Sequence, residues 1–226
     1  MAFEQPDHAR FVRRVLFPAF PFDLVVIAAS AGGVTAVKSV LRTLPPDFPT
    51  PIAIVQHLGA LPSRLADIFN MGSRVPVKFA EDGERLRGGR IYVAPINRHL
   101  GLSDAGTFEL LDLPKVNYVR PAADILLGSA SKVLGPRLLA AVLTGMGKDG
   151  MAGAERVKRE GGIVIAQEPS SAFAPSMPLA TVQSGHADLV LDLEGVGRAL
   201  VSLAMVTAAR EWLGLPRTEP PLRAYA

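Results

Sequence analysis

Short, continuous runs of apolar residues recur along the chain and alternate with segments long enough to form helices. Runs this short, rich in Val, Ile and Leu, are typical of strands that a parallel sheet buries on both faces. The pattern predicts strands over residues 24–29, 52–56, 75–79, 90–94, 138–143, 163–166 and 189–191. Strands separated by helix-length segments favour an α/β fold.

Helices are predicted between these strands, and several end at residues that interrupt helices. Pro45 and Pro46 follow one helical segment, and Gly161 and Gly162 follow another. The predicted helices cover residues 34–44, 63–70, 122–134, 151–160 and 196–213, and a short one begins near residue 178. We therefore expect a mainly parallel, doubly wound sheet with helices on both faces, and an antiparallel hairpin over 102–111 at one edge.

Three regions are predicted along the chain. Residues 1–22 form an N-terminal extension, residues 23–213 form the main folded domain, and residues 214–226, with three prolines, form a loose tail. The apolar stretch after Arg13 and Arg14 contains Pro18, Pro21 and Asp23, which are unsuited to the core of a signal peptide. Because no uninterrupted stretch of about 20 apolar residues occurs, we expect no membrane insertion.

The composition narrows the possible chemistry. The 226 residues include no cysteine, which excludes disulfides, zinc–thiolate sites and a thiol nucleophile. The four histidines show no metal-ligand spacing, so no metal site is expected. A net charge of +3 is too small an excess to predict a nucleic-acid partner.

Polar residues follow several predicted strands, where α/β folds place their sites. Ser30, His57 and Asp149 each come shortly after a strand, and together they suggest a nucleophile, a base and the acid that orients the base. Each also has a structural interpretation: Ser30 as a helix N-cap, His57 as a core histidine and Asp149 as a turn or capping residue. His99 competes with His57 as the base, and the sequence alone leaves this choice open.

The sequence GMGKDG at residues 145–150 has a second interpretation. It matches G-x-G-x-x-G, follows a predicted strand and opens a predicted helix. This is the context of a dinucleotide-binding turn, so a dinucleotide-binding domain is an alternative function. It leaves Ser30 and His57 without a role.

An ordered set of motifs resembles the catalytic domain of the bacterial chemotaxis protein-glutamate methylesterase family. The resemblance runs from about residue 23 to about residue 193. The blocks that carry it are IAASAGG at 27–33, QH at 56–57, EDGE at 81–84, AP at 94–95, RH at 98–99, RP at 120–121 with Asp124, LTGMGKDG at 143–150, AQE at 166–168 and MP at 177–178.

The resemblance implies a cofactor-independent serine hydrolase that removes methyl esters from receptor glutamates, releases methanol and also deamidates receptor glutamine. It assigns Ser30 as nucleophile, His57 as base, Asp149 as its orienting partner and the backbone N–H of Met146 as oxyanion donor. Ala31, Arg98 and Arg120 are the substrate-binding residues that it suggests.

Departures from the family pattern concern the surroundings of the triad. Ala31 stands where the family often has Thr. Tyr118 and Val119 stand at two positions where the family has charged or polar residues. The implied partners are methylated chemoreceptor helices, and the implied location is the cytoplasm. The 22 residues of the extension are too few for a phospho-acceptor receiver domain. A catalytically silent homologue that docks on receptors is a further alternative.

Overall fold

The computed structural model describes residues 21–57, 64–206 and 209–215. Its main sheet contains seven parallel strands: β1 (Leu24–Ala29), β2 (Ile52–Gln56), β3 (Val77–Phe79), β4 (Ile91–Val93), β7 (Leu138–Val142), β8 (Ile163–Gln167) and β9 (Leu189–Leu191). From one edge of the sheet to the other, their order is β3-β4-β2-β1-β7-β8-β9. A separate antiparallel pair is formed by β5 (His99–Leu102) and β6 (Phe108–Leu111).

Helices cover both faces of the sheet, which confirms the predicted doubly wound α/β fold. They are α1 (Gly33–Thr43), α2 (Leu65–Asn70), α3 (Ala123–Leu134), α4 (Met151–Arg159), α5 (Ser176–Gln183), α6 (Leu193–Met205) and α7 (Ala209–Trp212). The apolar sides of α1, α2 and α6 share one core with the sheet, whereas α3, α4, α5 and the β5–β6 pair share the other. The central strands are buried throughout because they are covered on both sides.

The strand order places a crevice between β1 and β7. From β1 the chain continues outward through β2 to β4 and β3, whereas β7, β8 and β9 lie on the other side of β1. In an open α/β sheet, ligands bind at the carboxyl ends of the two strands where the order reverses. The loops after β1 and β7 are those that contain Ser30 and Asp149.

Some predicted elements differ from the observed ones. The hairpin is present, but it packs beside α3 as a sheet of its own and does not extend an edge of the main sheet. The predicted helix over 196–213 begins at Leu193, where the Asp192 side chain accepts the Gly195 N–H at 2.7 Å, and ends at Met205.

Parts of several predicted segments lie outside the described residues: 1–20 of the extension, the start of the helix over 63–70, residues 207–208 of the last helix and 216–226 of the tail. The three-region division stays a prediction. Among the described residues, no helix has the length and apolar character needed to cross a membrane.

Candidate active site

Ser30 lies directly after β1, at the turn that leads into α1. Its N–H donates to the Thr144 carbonyl at 2.9 Å, and its own carbonyl accepts the Gly33 N–H at 2.8 Å. The N-cap of α1 is Gly32, with φ of 74°, and no side chain caps this helix. Ser30 is therefore held by its backbone, and its half-buried side chain makes no capping hydrogen bond.

His57 lies beside Ser30 because β1 and β2 are adjacent and parallel. Ala29 is in register with Gln56, and the His57 N–H donates to the Ala29 carbonyl at 3.0 Å. The next residue along each strand is Ser30 on β1 and His57 on β2, so the two are neighbours across the strand ends. Both line the same surface depression, together with Ala31.

The imidazole of His57 binds Asp149 through one nitrogen and leaves the other unpaired. Nε2 lies 2.7 Å from Asp149 Oδ2. Because an ionised carboxylate only accepts hydrogen bonds, the ring proton belongs on Nε2, and Nδ1 keeps a free lone pair. Nδ1 is buried and has no hydrogen-bond partner among the described residues. A buried acceptor left unpaired is costly, and a waiting general base explains it.

Asp149 is fixed by the N-terminus of α3. The carboxylate accepts the backbone N–H of Ala123 at 2.6 Å and that of Asp124 at 3.1 Å, in addition to His57. Burial by itself raises the pKa of Asp149, but the hydrogen bonds from His57 and Ala123 and the charge of His57 outweigh it and hold the pKa below its ordinary value. Asp149 is therefore an ionised partner for His57.

Asp124 caps α4 in the way that Asp149 caps α3. Its Oδ1 accepts the N–H groups of Gly150 at 2.9 Å and Gly153 at 2.7 Å, and its Oδ2 accepts Asn117 Nδ2 at 2.9 Å. Burial and then the neighbouring charge of Asp149 raise the pKa of Asp124. The two carboxyl groups tie the β7–α4 loop to α3 from both sides. Asp124 was noted in the sequence only as part of the family pattern.

His99 serves a structural purpose. It is fully buried; its Nδ1 accepts the Ala122 N–H at 3.1 Å, and its Nε2 donates to the Pro114 carbonyl at 3.0 Å. Since both ring nitrogens are used, His99 has no lone pair for a base. Among the two candidates, the geometry favours His57.

Met146 follows a turn that presses against Ser30. The Gly145 N–H donates to the Ala174 carbonyl at 2.8 Å, and a Cβ on Gly145 would lie 2.7 Å from Ser30 Cβ and 2.1 Å from Met177 Sδ. Only glycine fits so close a passage. The Met146 N–H donates to no acceptor among the described residues, so it is available as an oxyanion donor.

Gln56 connects the nucleophile and the base, although the sequence presents it only as part of the QH block of the family pattern. Its Nε2 donates to the Ser30 carbonyl at 2.8 Å and to the His57 carbonyl at 2.9 Å, while the side chain is buried. A polar residue that ends an otherwise apolar strand, directly before the candidate base, was the available signal. We regard Gln56 as a positioning residue.

Thr144 links the Ser30 turn to the loop after β8. Its hydroxyl donates to the Ala31 carbonyl at 2.9 Å and accepts the Ala174 N–H at 2.8 Å. Its own N–H is held by Gln167 Oε1 at 2.9 Å. These bonds fix three loops at the carboxyl end of the sheet relative to one another.

The two candidate substrate arginines are engaged elsewhere. Arg98 donates to the Leu110 carbonyl at 2.8 Å. Arg120 donates to Asn97 Oδ1 at 2.8 Å and to Asp112 Oδ1 at 3.0 Å. Neither side chain is among those that line the depression with Ser30, so a substrate contact for them stays a prediction.

The N-terminus of α4, where a dinucleotide-binding turn would hold a pyrophosphate, is occupied. The Gly150 and Gly153 N–H groups already donate to the Asp124 carboxylate, and a second anion there would be repelled. Among the described residues, no group of three or more His, Cys, Asp or Glu side chains is arranged to hold a metal ion.

The chain is similar to proteins named protein-glutamate methylesterase. A putative protein-glutamate methylesterase/protein-glutamine glutaminase of Leptospira interrogans is 36% identical over 183 residues, which cover 80% of this chain and 95% of that protein. A Thermotoga maritima protein named protein-glutamate methylesterase/protein-glutamine glutaminase is 39% identical, and an Anaeromyxobacter dehalogenans protein of the same type is 42% identical. The aligned part spans 80–82% of this chain but only 55% and 53% of those two relatives.

The fold has a solved counterpart. The crystal structure of the Thermotoga maritima CheB methylesterase catalytic domain matches with a TM-score of 0.76 and 39% identity, over 80% of this chain and 98% of that one. The CheB methylesterase family model matches residues 25–200, which include all three candidate triad residues. By this match and these relatives, the chain belongs to the CheB methylesterase family.

Proposed function

We propose that this protein hydrolyses methyl esters of glutamate side chains in proteins and releases methanol. The observation that carries the proposal is the 2.7 Å hydrogen bond between His57 and Asp149, which leaves Nδ1 of His57 unpaired on a residue that lines the same depression as Ser30. The names of the relatives supply the substrate class. Ser30, His57 and Asp149 are the catalytic residues of this proposal.

The reaction proceeds through an acyl-enzyme. Ser30 Oγ bonds to the ester carbonyl carbon while its proton passes to His57 Nδ1, and His57 gives that proton to the departing methoxide oxygen, so that methanol leaves. Water then adds to the glutamyl–serine ester, and His57 carries the proton of the water to Ser30 Oγ. Free enzyme and a glutamate side chain result, and the new carboxyl group releases its remaining proton to solvent.

Asp149 acts by orienting His57 and stabilising its protonated form. In the chymotrypsin-type triad, Nδ1 of the histidine faces the aspartate and Nε2 faces the serine. Here Nε2 faces Asp149, so the ring is used in the opposite sense. Roles define a triad, and this arrangement supplies each of them.

The Met146 N–H is the proposed oxyanion donor. It is unpaired among the described residues and follows Gly145, which contacts Ser30. One such donor typically contributes about 3 kcal/mol of transition-state stabilisation. The substitution of Met146 by any residue other than proline keeps this N–H.

The finer parts of the proposal concern the substrate and its location. We take the substrate to be methylated helices of chemoreceptors, and the site of action to be the cytoplasm, on the family resemblance. Deamidation of receptor glutamine uses the same acyl-enzyme with ammonia as the leaving group, and several relatives carry glutaminase in their names.

A methanol-release assay on methylated receptor membranes tests the proposal. The wild-type protein should release methanol, and Ser30→Ala and His57→Ala should each lower kcat by about 10³-fold or more. His99→Ala tests the assignment of the base: loss of methanol release on His99→Ala with wild-type rates on His57→Ala would contradict it. A protein that changes receptor signalling equally with and without Ser30 would instead be the silent homologue.

The dinucleotide alternative is tested by calorimetric titration with NAD. No saturable heat is expected, since Asp124 occupies the α4 N-terminus. Saturable binding that disappears on Gly147→Val would favour that alternative.

A further inference from the structure

Phe173 is a large, solvent-exposed apolar side chain close to the turn that carries the candidate nucleophile. It lies in the loop between β8 and α5 and is 82% exposed. Its Cβ lies 2.7 Å, and its ring atoms Cγ and Cδ1 2.9 Å, from the position that a Cβ on Gly32 would occupy. The ring therefore lies against Gly32, two residues after Ser30.

The backbone that carries Phe173 is fixed relative to the site. The next residue, Ala174, donates its N–H to Thr144 Oγ1 and accepts the Gly145 N–H, both at 2.8 Å. Gly32 has φ of 74°, a conformation that L side chains rarely adopt, and the space its Cβ would take is filled by the phenyl group. Phe173 is thus an exposed ring on a supported backbone.

Met146 supplies a second exposed apolar side chain at the same place. It is 71% exposed and follows Gly145, which contacts Ser30. We call Phe173 and Met146 the apolar rim. Large apolar side chains exposed together at a site are typical of surfaces that bind a partner.

The geometry of the proposed substrate indicates that the partner bound at the apolar rim is the helix that carries the glutamyl ester. A glutamyl ester reaches Ser30 only if the helix that carries it lies close to the surface around the depression. On a helix, the residues three and four positions from the glutamate lie about 5–6 Å away on the same face. These neighbours must therefore pass over the apolar rim, which is continuous with the Ser30 turn.

We propose that Phe173 is a specificity-determining residue that packs against apolar side chains one helical turn from the esterified glutamate. This inference rests on the proposed function and deepens it. It makes the protein select an amphipathic helix, with apolar positions adjacent to the ester, over an isolated ester.

The test compares two substrates of the 226-residue protein. One is a methylated receptor fragment, followed by methanol release; the other is p-nitrophenyl acetate, which is too small to reach the rim. Phe173→Ala should lower the ratio of kcat/KM on the receptor fragment to kcat/KM on the small ester by roughly ten- to hundredfold, mainly through KM. Phe173→Leu should recover most of the ratio because it restores apolar area.

A matched control is Met71→Ala. Met71 is 78% exposed and follows the C-terminus of α2, and in this fold the C-termini of helices lie at the opposite edge of the sheet from the site. Its substitution should leave the ratio at the wild-type value.

An unchanged ratio for Phe173→Ala, with an active wild-type protein, overturns the inference alone: kcat/KM either stays at the wild-type value on both substrates or falls equally on both, and the second case would mark a structural role. An unchanged ratio together with conversion of a dimer to a monomer on sedimentation would assign the rim to a second copy of the chain, which also overturns it. A wild-type protein that releases no methanol, with small-ester hydrolysis unaffected by Ser30→Ala, overturns the proposed function and the inference together.

Discussion

Asp124 and Asp149 show how two neighbouring carboxyl groups acquire opposite properties. Both are buried and both accept backbone N–H groups, but only Asp149 binds His57. Burial and the charge of Asp149 raise the pKa of Asp124, whereas the hydrogen bonds and the charge of His57 hold the pKa of Asp149 down. The carboxyl group that faces the base is therefore the one that ionises more readily.

This difference predicts a pH-dependent stability for Asp124→Asn. Because the pKa of Asp124 in the folded state lies above its ordinary value of 3.8, its contribution is fully present below pH 3.8 and is lost as the pH rises through the raised value. Asp149 has a lowered pKa, so its contribution is fully present above 3.8. The free energy of unfolding of the wild type should therefore fall relative to that of Asp124→Asn as the pH rises from about 4 to 7.

Urea unfolding of both proteins at several pH values measures this difference. The asparagine keeps an oxygen for the Gly150 and Gly153 N–H groups, and Asn117 can turn its amide to present its own oxygen. The exposed Asp104, substituted by Asn, is the control and should give a flat difference. Parallel curves for the wild type and Asp124→Asn would contradict the raised pKa of Asp124.

Gln56→Glu tests the link between the nucleophile and the base. The substitution keeps the shape but places a carboxylate oxygen against the carbonyls of Ser30 and His57, which now receive donors at 2.8 and 2.9 Å. We expect kcat to fall by about tenfold or more, and the free energy of unfolding by about 1–3 kcal/mol.

Methanol release and urea unfolding measure both effects, and Gln183→Glu, on the exposed end of α5, is the matched control. If Gln56→Glu strongly lowered the free energy of unfolding but kept the wild-type kcat at urea concentrations where the protein is still folded, Gln56 would contribute only to the packing of the core.

At the residue scale, the sequence shows which predicted strands are followed by reactive side chains. Because the carboxyl ends of parallel strands meet at one edge of the sheet, it also predicts that these side chains lie close together. It does not predict which histidine is free. His57 and His99 follow different strands in similar contexts, and only the folded chain shows that both nitrogens of His99 are taken. The same holds for Gln56 and Asp124, whose hydrogen bonds cross between distant segments.

At the element scale, the β7–α4 loop must pass close to Ser30, and Gly145 makes this possible. In Gly145→Ala the new Cβ would lie 2.7 Å from Ser30 Cβ, and although the flexible end of Met177 can move, the Ser30 backbone is held by Thr144. We expect a displaced nucleophile, with kcat lower by about 10- to 100-fold and stability lower by about 1–3 kcal/mol.

Steady-state kinetics and thermal unfolding test this expectation. Gly72→Ala is the control, since the nearest atom to its Cβ would lie at 3.5 Å and the site is distant. If Gly145→Ala and Gly72→Ala showed the same kcat and the same thermal stability, the β7–α4 loop would not require glycine at position 145.

The central strands were the elements best predicted, because continuous apolar runs reflect burial on both faces. The predicted hairpin over 102–111 begins later than β5, since the first residue of β5 is His99, a polar residue that is fully buried through hydrogen bonds absent from any periodicity. The predicted helix over 196–213 likewise begins later than α6. The cap by Asp192 begins the helix three residues before the first buried apolar residue, Val196.

At the scale of the whole molecule, the two helical layers are joined by shared strands. Along β1, Val25 and Ile27 belong to the core with α1 and α6, whereas Leu24 and Val26 belong to the core with α3 and α4. The same alternation occurs in β2, β7 and β8. Because each strand supports both layers, neither core can be lost while the other stays intact.

Leu126→Ala in α3 and Leu200→Ala in α6 should therefore destabilise one common transition, although they lie on opposite faces. Both side chains are fully buried, so each substitution should cost about 2–5 kcal/mol. Pulse hydrogen exchange at increasing urea concentrations measures the amide protection of peptides from α3 and α6. In each variant, both helices should lose protection at the same urea concentration, and this concentration should equal the midpoint of the circular dichroism transition. Leu113→Ala, at a partly exposed position, should shift the midpoint little. If α3 lost protection at a lower urea concentration than α6 in Leu126→Ala, the two helical layers would be separate folding units. The shared sheet would then not couple Asp149, which α3 holds, to Ser30 in the turn before α1.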